Sequence, residues 1–125
     1  MAKQTILLGT TPNDGTGDKL REGGEKINDN FTELYNNIFS ISTKSANYTL
    51  LDTDYAIIVD TAGVTMTLPS ATDTSGKTFV IKNTSAGSIT VDANGSETID
   101  GNLTQTINTF DSITIISNNI NWLII

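Results

Sequence analysis

The sequence predicts a mainly β protein with an N-terminal α-helix: a short trimeric coiled-coil stalk followed by an antiparallel β-sandwich or barrel head. Three observations carry this. First, Leu20, Gly24, Ile27, Phe31, Leu34, Ile38 and Ile41 follow one another at alternating steps of four and three, the 3.5-residue repeat that holds an apolar stripe on one side of a supercoiled helix. Second, from Asn47 onward the hydrophobic period changes to two, strictly so in VTMTL (64–68) and LTQTI (103–107). Third, turn signals separate short β-rich runs every ~8–12 residues, the spacing of an antiparallel sandwich or barrel. The predicted boundary places the anchor loop and helix in residues 1–46 and the β domain in residues 47–125.

Residues 3–8 form a short apolar arm, and residues 9–17 read as a loop, with Pro12, Asn13-Asp14-Gly15 and Gly17 as breakers. Asp18 is the expected N-cap of the helix, because a short side-chain oxygen can accept from a free backbone N–H. Glu22 and Glu25 suit the positive end of the helix dipole, and Glu22 with Lys26 makes an i, i+4 pair. Gly23-Gly24 is the odd feature, since each Gly costs a helix about 1 kcal/mol relative to Ala. It marks either a weak first turn or a helix that starts later, near Glu25, or else a close backbone approach at the seam or a hinge next to an anchor. The helix should fade between Ile38 and Thr43.

The seam residues Leu20, Ile27, Phe31, Leu34, Ile38 and Ile41 are the expected trimer interface. Flanking positions are mostly uncharged, and Ile38 with Ile41 places Ile at both seam positions, which favours trimers. The alternative is an amphipathic helix packed on its own β domain.

In the second half, further β-rich runs cover residues 55–59, 78–82, 88–92, 112–117 and 121–125. The last two form a hairpin turning at Asn118-Asn119, which turns Trp122 into the core. Leu68, Ile81, Val91, Ile99, Ile115 and Trp122 are the expected β core, and Phe79 and Phe110 also fit core positions.

Composition excludes much chemistry. The chain has 125 residues and a net charge of −7, and its last basic residue is Lys82. Nucleic-acid affinity comes largely from Lys and Arg on phosphates, so nucleic acid is an unexpected partner, and so is an anionic membrane. No apolar run approaches the ~20 residues of a membrane span, and no secretory signal opens the sequence. Without Cys or His, disulfides, Cys/His zinc sites and His-based catalysis fall away. The five N-x-S/T sequons follow from an Asn-, Thr- and Ser-rich composition.

Candidate motifs fail on spacing. Gly15-Thr16-Gly17-Asp18-Lys19 precedes a helix but lacks the second Gly-Lys-Ser/Thr of a phosphate loop, and Asp18 puts negative charge where a phosphate would sit. Asp14 with Asp18, or Asp52 with Asp54, lack the ligand spacing of a calcium loop, and the latter pair is expected to be solvated at a strand start. Asp92, Glu97 and Asp100 lack the stacked aromatics that accompany glycosidase carboxylates. No catalytic residue, cofactor or metal is expected, and the protein is read as a non-enzyme.

GTTPNDGTGD (9–18), then Leu20-Arg21, then KINDNFTELY (26–35) resembles the N-terminal motif of many tailed-bacteriophage virion proteins, among them tail-fibre, baseplate and head-fibre or decoration proteins. That family usually has larger residues where this chain has Gly23-Gly24. Tyr48-Thr49-Leu50, Thr67-Leu68-Pro69, Gly76-Lys77, Ile81-Lys82, Ile99-Asp100-Gly101 and Trp122 resemble a small β domain of phage fibres. The resemblance implies that residues 3–19 anchor the protein to the particle, through Gly9, Thr10, Pro12, Asn13, Asp14, Gly15, Gly17 and Asp18, while the β domain points outward. It implies a virion structural protein, assembled in the bacterial host cytoplasm, whose partners are its own copies in a homotrimer and other virion proteins of capsid or tail. The short chain favours a capsid decoration or head-fibre protein. The alternative is a short tail or baseplate fibre for host adsorption. A carbohydrate-binding module ranks behind both, with a host-surface glycan as its ligand.

Overall fold

A computed structural model describes residues 4–11, 14–38, 40–72 and 74–125, with the side chains of residues 36–38 outside the description. The chain divides into two units, residues 1–38 and 39–125. Among the described residues, the first carries one helix, α1 (Leu20–Ile38). The second carries nine strands: β1 (Ile41–Lys44), β2 (Tyr48–Thr49), β3 (Ala56–Val59), β4 (Thr65–Thr67), β5 (Thr78–Asn83), β6 (Ile89–Asp92), β7 (Thr104–Ile107), β8 (Ser112–Ser117) and β9 (Trp122–Ile124).

The mainly β class with one N-terminal helix is what the sequence predicts, but the pairing differs. The strands form two mixed sheets, a five-stranded one in the order β1-β3-β5-β8-β9 and a four-stranded one in the order β2-β4-β6-β7. Up to β6 the chain alternates between the sheets strand by strand. Odd strands therefore stack on odd strands and even on even, all parallel. Only the later strands, β7 on β6, β8 on β5 and β9 on β8, pair antiparallel. The expectation of an all-antiparallel domain is thus corrected. A period of two marks a strand with one buried face, whichever way its neighbour runs, so the pattern that locates the strands is silent on direction. The apolar run AIIV of β3 is the one hint, because strands of parallel sheets read as near-continuous hydrophobic runs.

Ile41 is a second correction. It fits the seam's spacing, but it opens β1, where it pairs with Ala56. The unit boundary accordingly falls at residue 38/39 rather than 46/47. A β-branched residue followed by Ser and Thr favours an extended backbone over a further helical turn.

Both sheets turn alternate side chains into one core. Leu68, Ile81, Val91, Ile99, Ile115 and Trp122 are fully buried there, together with Leu50, Ile57, Met66 and Phe79. Trp122 is the largest of them, with its ring 5.4 Å from that of Phe79. The predicted hairpin delivers it. Asn118 Oδ1 accepts from the N–H groups of Ile120 and Asn121, closing the turn between β8 and β9. The Trp122 N–H donates to Thr98 O at 2.9 Å, tying β9 to the 98–102 turn. That turn is a two-residue reversal with Asp100 and Gly101 both at positive φ, the geometry for which Asp-Gly is suited. Buried Asn83 is satisfied, donating to Gly87 O and Ile107 O and accepting from the Ser85 N–H and hydroxyl.

Phe110 lies outside the core, against expectation. It is 69% exposed at φ 64°. Its N–H donates to Asn83 O and its carbonyl accepts from Lys82 Nζ. These bonds hold the backbone in a left-handed turn from which the ring faces outward.

Trp122→Ala removes the largest side chain from this core. A loss of about 3–5 kcal/mol is expected, a large share of the ~5–15 kcal/mol that holds a domain together. Urea unfolding followed by circular dichroism should show a midpoint far below the parent's. A midpoint close to the parent's would make the C-terminal strand peripheral.

Candidate functional site: the N-terminal arm and helix

Among the described residues of the β unit no chemistry-bearing cluster emerges. Its carboxylates are engaged singly. Glu97 accepts from Ser70 Oγ at 2.7 Å and Ala71 N at 2.8 Å, and Asp100 accepts from Ile124 N. Asp54, expected to be solvated, is buried, accepting from Tyr48 OH and Leu51 N. The residues singled out for docking and assembly, Ile41 excepted, lie instead in the first unit.

There the loop is built around one carboxylate. Asp14 Oδ2 accepts from Thr10 N at 2.6 Å, Thr10 Oγ1 at 2.7 Å and Thr11 N at 2.8 Å, while Oδ1 accepts from Thr16 N at 2.9 Å. These donors, the Thr16 N–H first and then those of Thr11 and Thr10, hold the Asp14 carboxyl far below the usual carboxylate range. Gly9 sits at φ 79°, where a Cβ would come within 2.6 Å of Asp14 Oδ1. A Cβ at Gly17 would come within 2.8 Å of Leu7 O. Gly9, Thr10, Asp14, Gly15 and Gly17 thus share one tight loop. Pro12 and Asn13 lie outside the described residues.

Asp18 does not cap the helix. Its Oδ2 accepts from Lys26 Nζ at 2.7 Å and from Leu7 N at 2.9 Å, and its own N–H donates to Leu7 O at 2.8 Å. The Lys26 ammonium and then the Leu7 amide lower its pKa. Lys26 therefore pairs back to Asp18 rather than with Glu22. In the same stretch Arg21 pairs with Glu25, and Glu22 accepts from the Lys19 N–H.

These bonds lay the arm along the helix. Gln4 and Asn30 exchange two hydrogen bonds, Gln4 N to Asn30 Oδ1 at 2.9 Å and Asn30 Nδ2 to Gln4 O at 3.0 Å. Gln4 Nε2 donates to Asp29, and Lys26 Nζ also reaches Thr5 O. Ile6 lies over Gly23, where an added Cβ would be 3.6 Å from Ile6 Cγ2. The helix begins at Leu20 despite the paired glycines. Gly23 is covered by the arm, whereas a Cβ at Gly24 would meet nothing within 4 Å.

Gly23, Lys26 and Asn30 are spaced three and four apart, so the arm occupies one flank of the helix. Among the described residues of this unit, nothing covers the seam beside it. Leu20 is 95% exposed, Phe31 66%, Leu34 45% and Ile27 44%. Of Ile38 only the backbone is described, and Ile41 lies in β1. Sequence reasoning finds the seam but misses the arm's register on the flank. Its signal is the second three-and-four spacing, carrying a small residue, a cation and an amide.

Because the folded loop lowers the Asp14 pKa, the carboxylate's contribution is present above the unfolded value of about 3.9. It is lost only as the pH falls through the much lower folded value. The amide resonances of Thr11 and Thr16 should accordingly hold their bonded shifts through pH 4. A transition centred near the ordinary Asp value would contradict the four-donor loop.

The geometry is that of a tightly bonded loop and arm beside an apolar helical stripe. The chain is 64% identical over 33 residues to "Baseplate wedge protein gp10" of Enterobacteria phage T4, a stretch covering 26% of this chain and 6% of that protein. It therefore matches only a small fraction of that relative's length. No solved structure matches the chain. The profile of the family described as "Bacteriophage T4 gp9/10-like protein, N-terminal" matches residues 3–125, and the chain belongs to that family.

Proposed function

We propose that this protein is a structural component of a tailed-phage virion at the tail or baseplate, a homotrimer that docks onto neighbouring virion proteins through its N-terminal arm. The observation that carries this reading is the uncovered stripe of Leu20, Ile27, Phe31 and Leu34 beside an arm already bonded to the adjacent flank. Large apolar side chains left in water at seam spacing mark an interaction surface. A 3.5-residue repeat is the spacing at which helices cover one another.

The family and the named relative favour the tail and baseplate alternative over the capsid-decoration and head-fibre reading. The arm is the docking element because the described residues of its loop are already hydrogen-bonded to one another. Asp14 fixes four donors, and Leu7 and Leu8 stand exposed beside it. A preformed segment loses less conformational freedom on docking than a disordered one. The protein's work is binding and assembly, without catalysis and without a cofactor.

Phe31→Asp would place a carboxylate from each copy in one layer of the seam, where desolvation and repulsion oppose assembly. Sedimentation equilibrium of the full chain at micromolar concentration should give a trimer, and this variant a monomer. A monomeric parent, or an unchanged variant, would mean that the seam serves something other than self-association.

Removal of residues 1–17 should leave the β unit folded by circular dichroism and abolish incorporation when purified protein is added to particles lacking it. Normal incorporation would place the anchor elsewhere.

A further inference from the structure

The strand registers give the two sheets opposite outer faces. On the four-stranded sheet the outward positions are Thr49, Thr65, Thr67, Thr90, Thr104 and Thr106 with Asp92, all polar. On the five-stranded sheet, Ile41, Ala56 and Val80 form an outward cross-strand row that ends at Thr114, Ile116 and Leu123 share another with Thr78, and Ile58 lies in a third with Thr43, Lys82 and Ser112, so six apolar side chains stand beside five polar ones. Of the six, Ile41 and Leu123 are exposed, and the four others are half-buried. A sheet face that meets water is ordinarily polar, and the threonine face follows that rule.

We propose that the outer face of the five-stranded sheet is a contact between copies of this chain, continuing into the β unit the association that begins at the helix seam. This rests on the trimer reading above. Two observations select a second copy as the occupant. The first is charge. The chain has 14 Asp and Glu and a net charge of −7, so its copies repel wherever carboxylates face each other. The strands of this sheet contain no acidic residue, which makes it a surface on which like copies can meet without that penalty.

The second is size. Five strands about 4.8 Å apart and three to six residues long offer on the order of 350 Å². A stable interface between free partners buries about 800 Å² on each. So small a face would hold an untethered partner weakly. A copy already joined through the helix is present at roughly millimolar effective concentration, so the same face can then contribute.

The test uses the absence of cysteine in the parent. Val80→Cys sits in the apolar row and Thr90→Cys in the middle of the threonine face. Ile58→Cys is a second probe on the apolar face. Each full-length variant is first checked by thermal melt and sedimentation, then treated with a short bismaleimide and resolved on a denaturing gel. Covalent dimers from Val80→Cys and Ile58→Cys, several-fold above those from Thr90→Cys, are expected.

If the variants sediment as trimers and the apolar-face cysteines crosslink no more than Thr90→Cys, this inference fails while the helix seam stands. A monomeric parent without crosslinks overturns both. A face covered by the chain's own helix or by another virion protein would likewise leave these cysteines uncrosslinked between copies, and would overturn the proposal.

Discussion

An apolar helical stripe in water is the constraint from which the rest of this molecule follows. α1 spans 19 residues and begins with paired glycines. A helix of this length is marginal on propensity alone, and in proteins most helical stability comes from packing an apolar face. Here the arm steadies one flank through Gln4, Leu7 and Asp18, but these bonds are exposed or partly exposed, and each contributes modestly. The larger reserve of stabilisation lies in Leu20, Ile27, Phe31 and Leu34, and it is released only when something apolar covers them. The arm, by lying on the neighbouring flank, leaves that stripe open.

The β unit meets its own constraint differently. It buries Trp122, Phe79 and the aliphatic core between two sheets whose first six strands alternate from one sheet to the other. Such winding leaves β1 and β2 at one edge of each sheet, and the later strands, which pair antiparallel, leave β9 and β7 at the other. Parallel strands joined this way pair residues far apart in sequence, which slows folding relative to hairpins. The tight turns at Asp100-Gly101 and at residues 118–121 are the local contacts that offset this. The chain therefore combines an N-terminal segment that exposes an apolar stripe with a β unit that buries its own core.

Much of this is legible in the sequence, and the exceptions have physical causes. The helix and its seam can be read because a 3.5-residue repeat of large side chains rarely arises except on a helix with one apolar side. The buried positions of β4, β5, β6, β8 and β9 can be read because alternation marks one buried face. Strand direction cannot, since the alternation is the same for parallel and antiparallel neighbours. β1 and β2 escape notice because they are short and because Ile41 satisfies both a heptad and a strand. Phe110 is misassigned to the core because its exposure is decided by a left-handed backbone held by Asn83 and Lys82, and no local pattern records that. In the N-terminal unit, the loop residues from Gly9 to Asp18 stand out by composition and by family resemblance. The bonds of Asp14 and Asp18 do not, because their partners are backbone amides, one threonine hydroxyl and a lysine eight residues away.

The central claim, that the helix seam is covered by other copies of the chain, is tested most directly by amide hydrogen exchange across a dilution series. Peptides spanning Ile27 to Tyr35 should lose protection as the protein is diluted, in step with dissociation, while the strands around Trp122 stay protected throughout. Protection of the helix that does not change with concentration would mean that a single chain covers its own seam, and would contradict the assembly on which the functional reading stands.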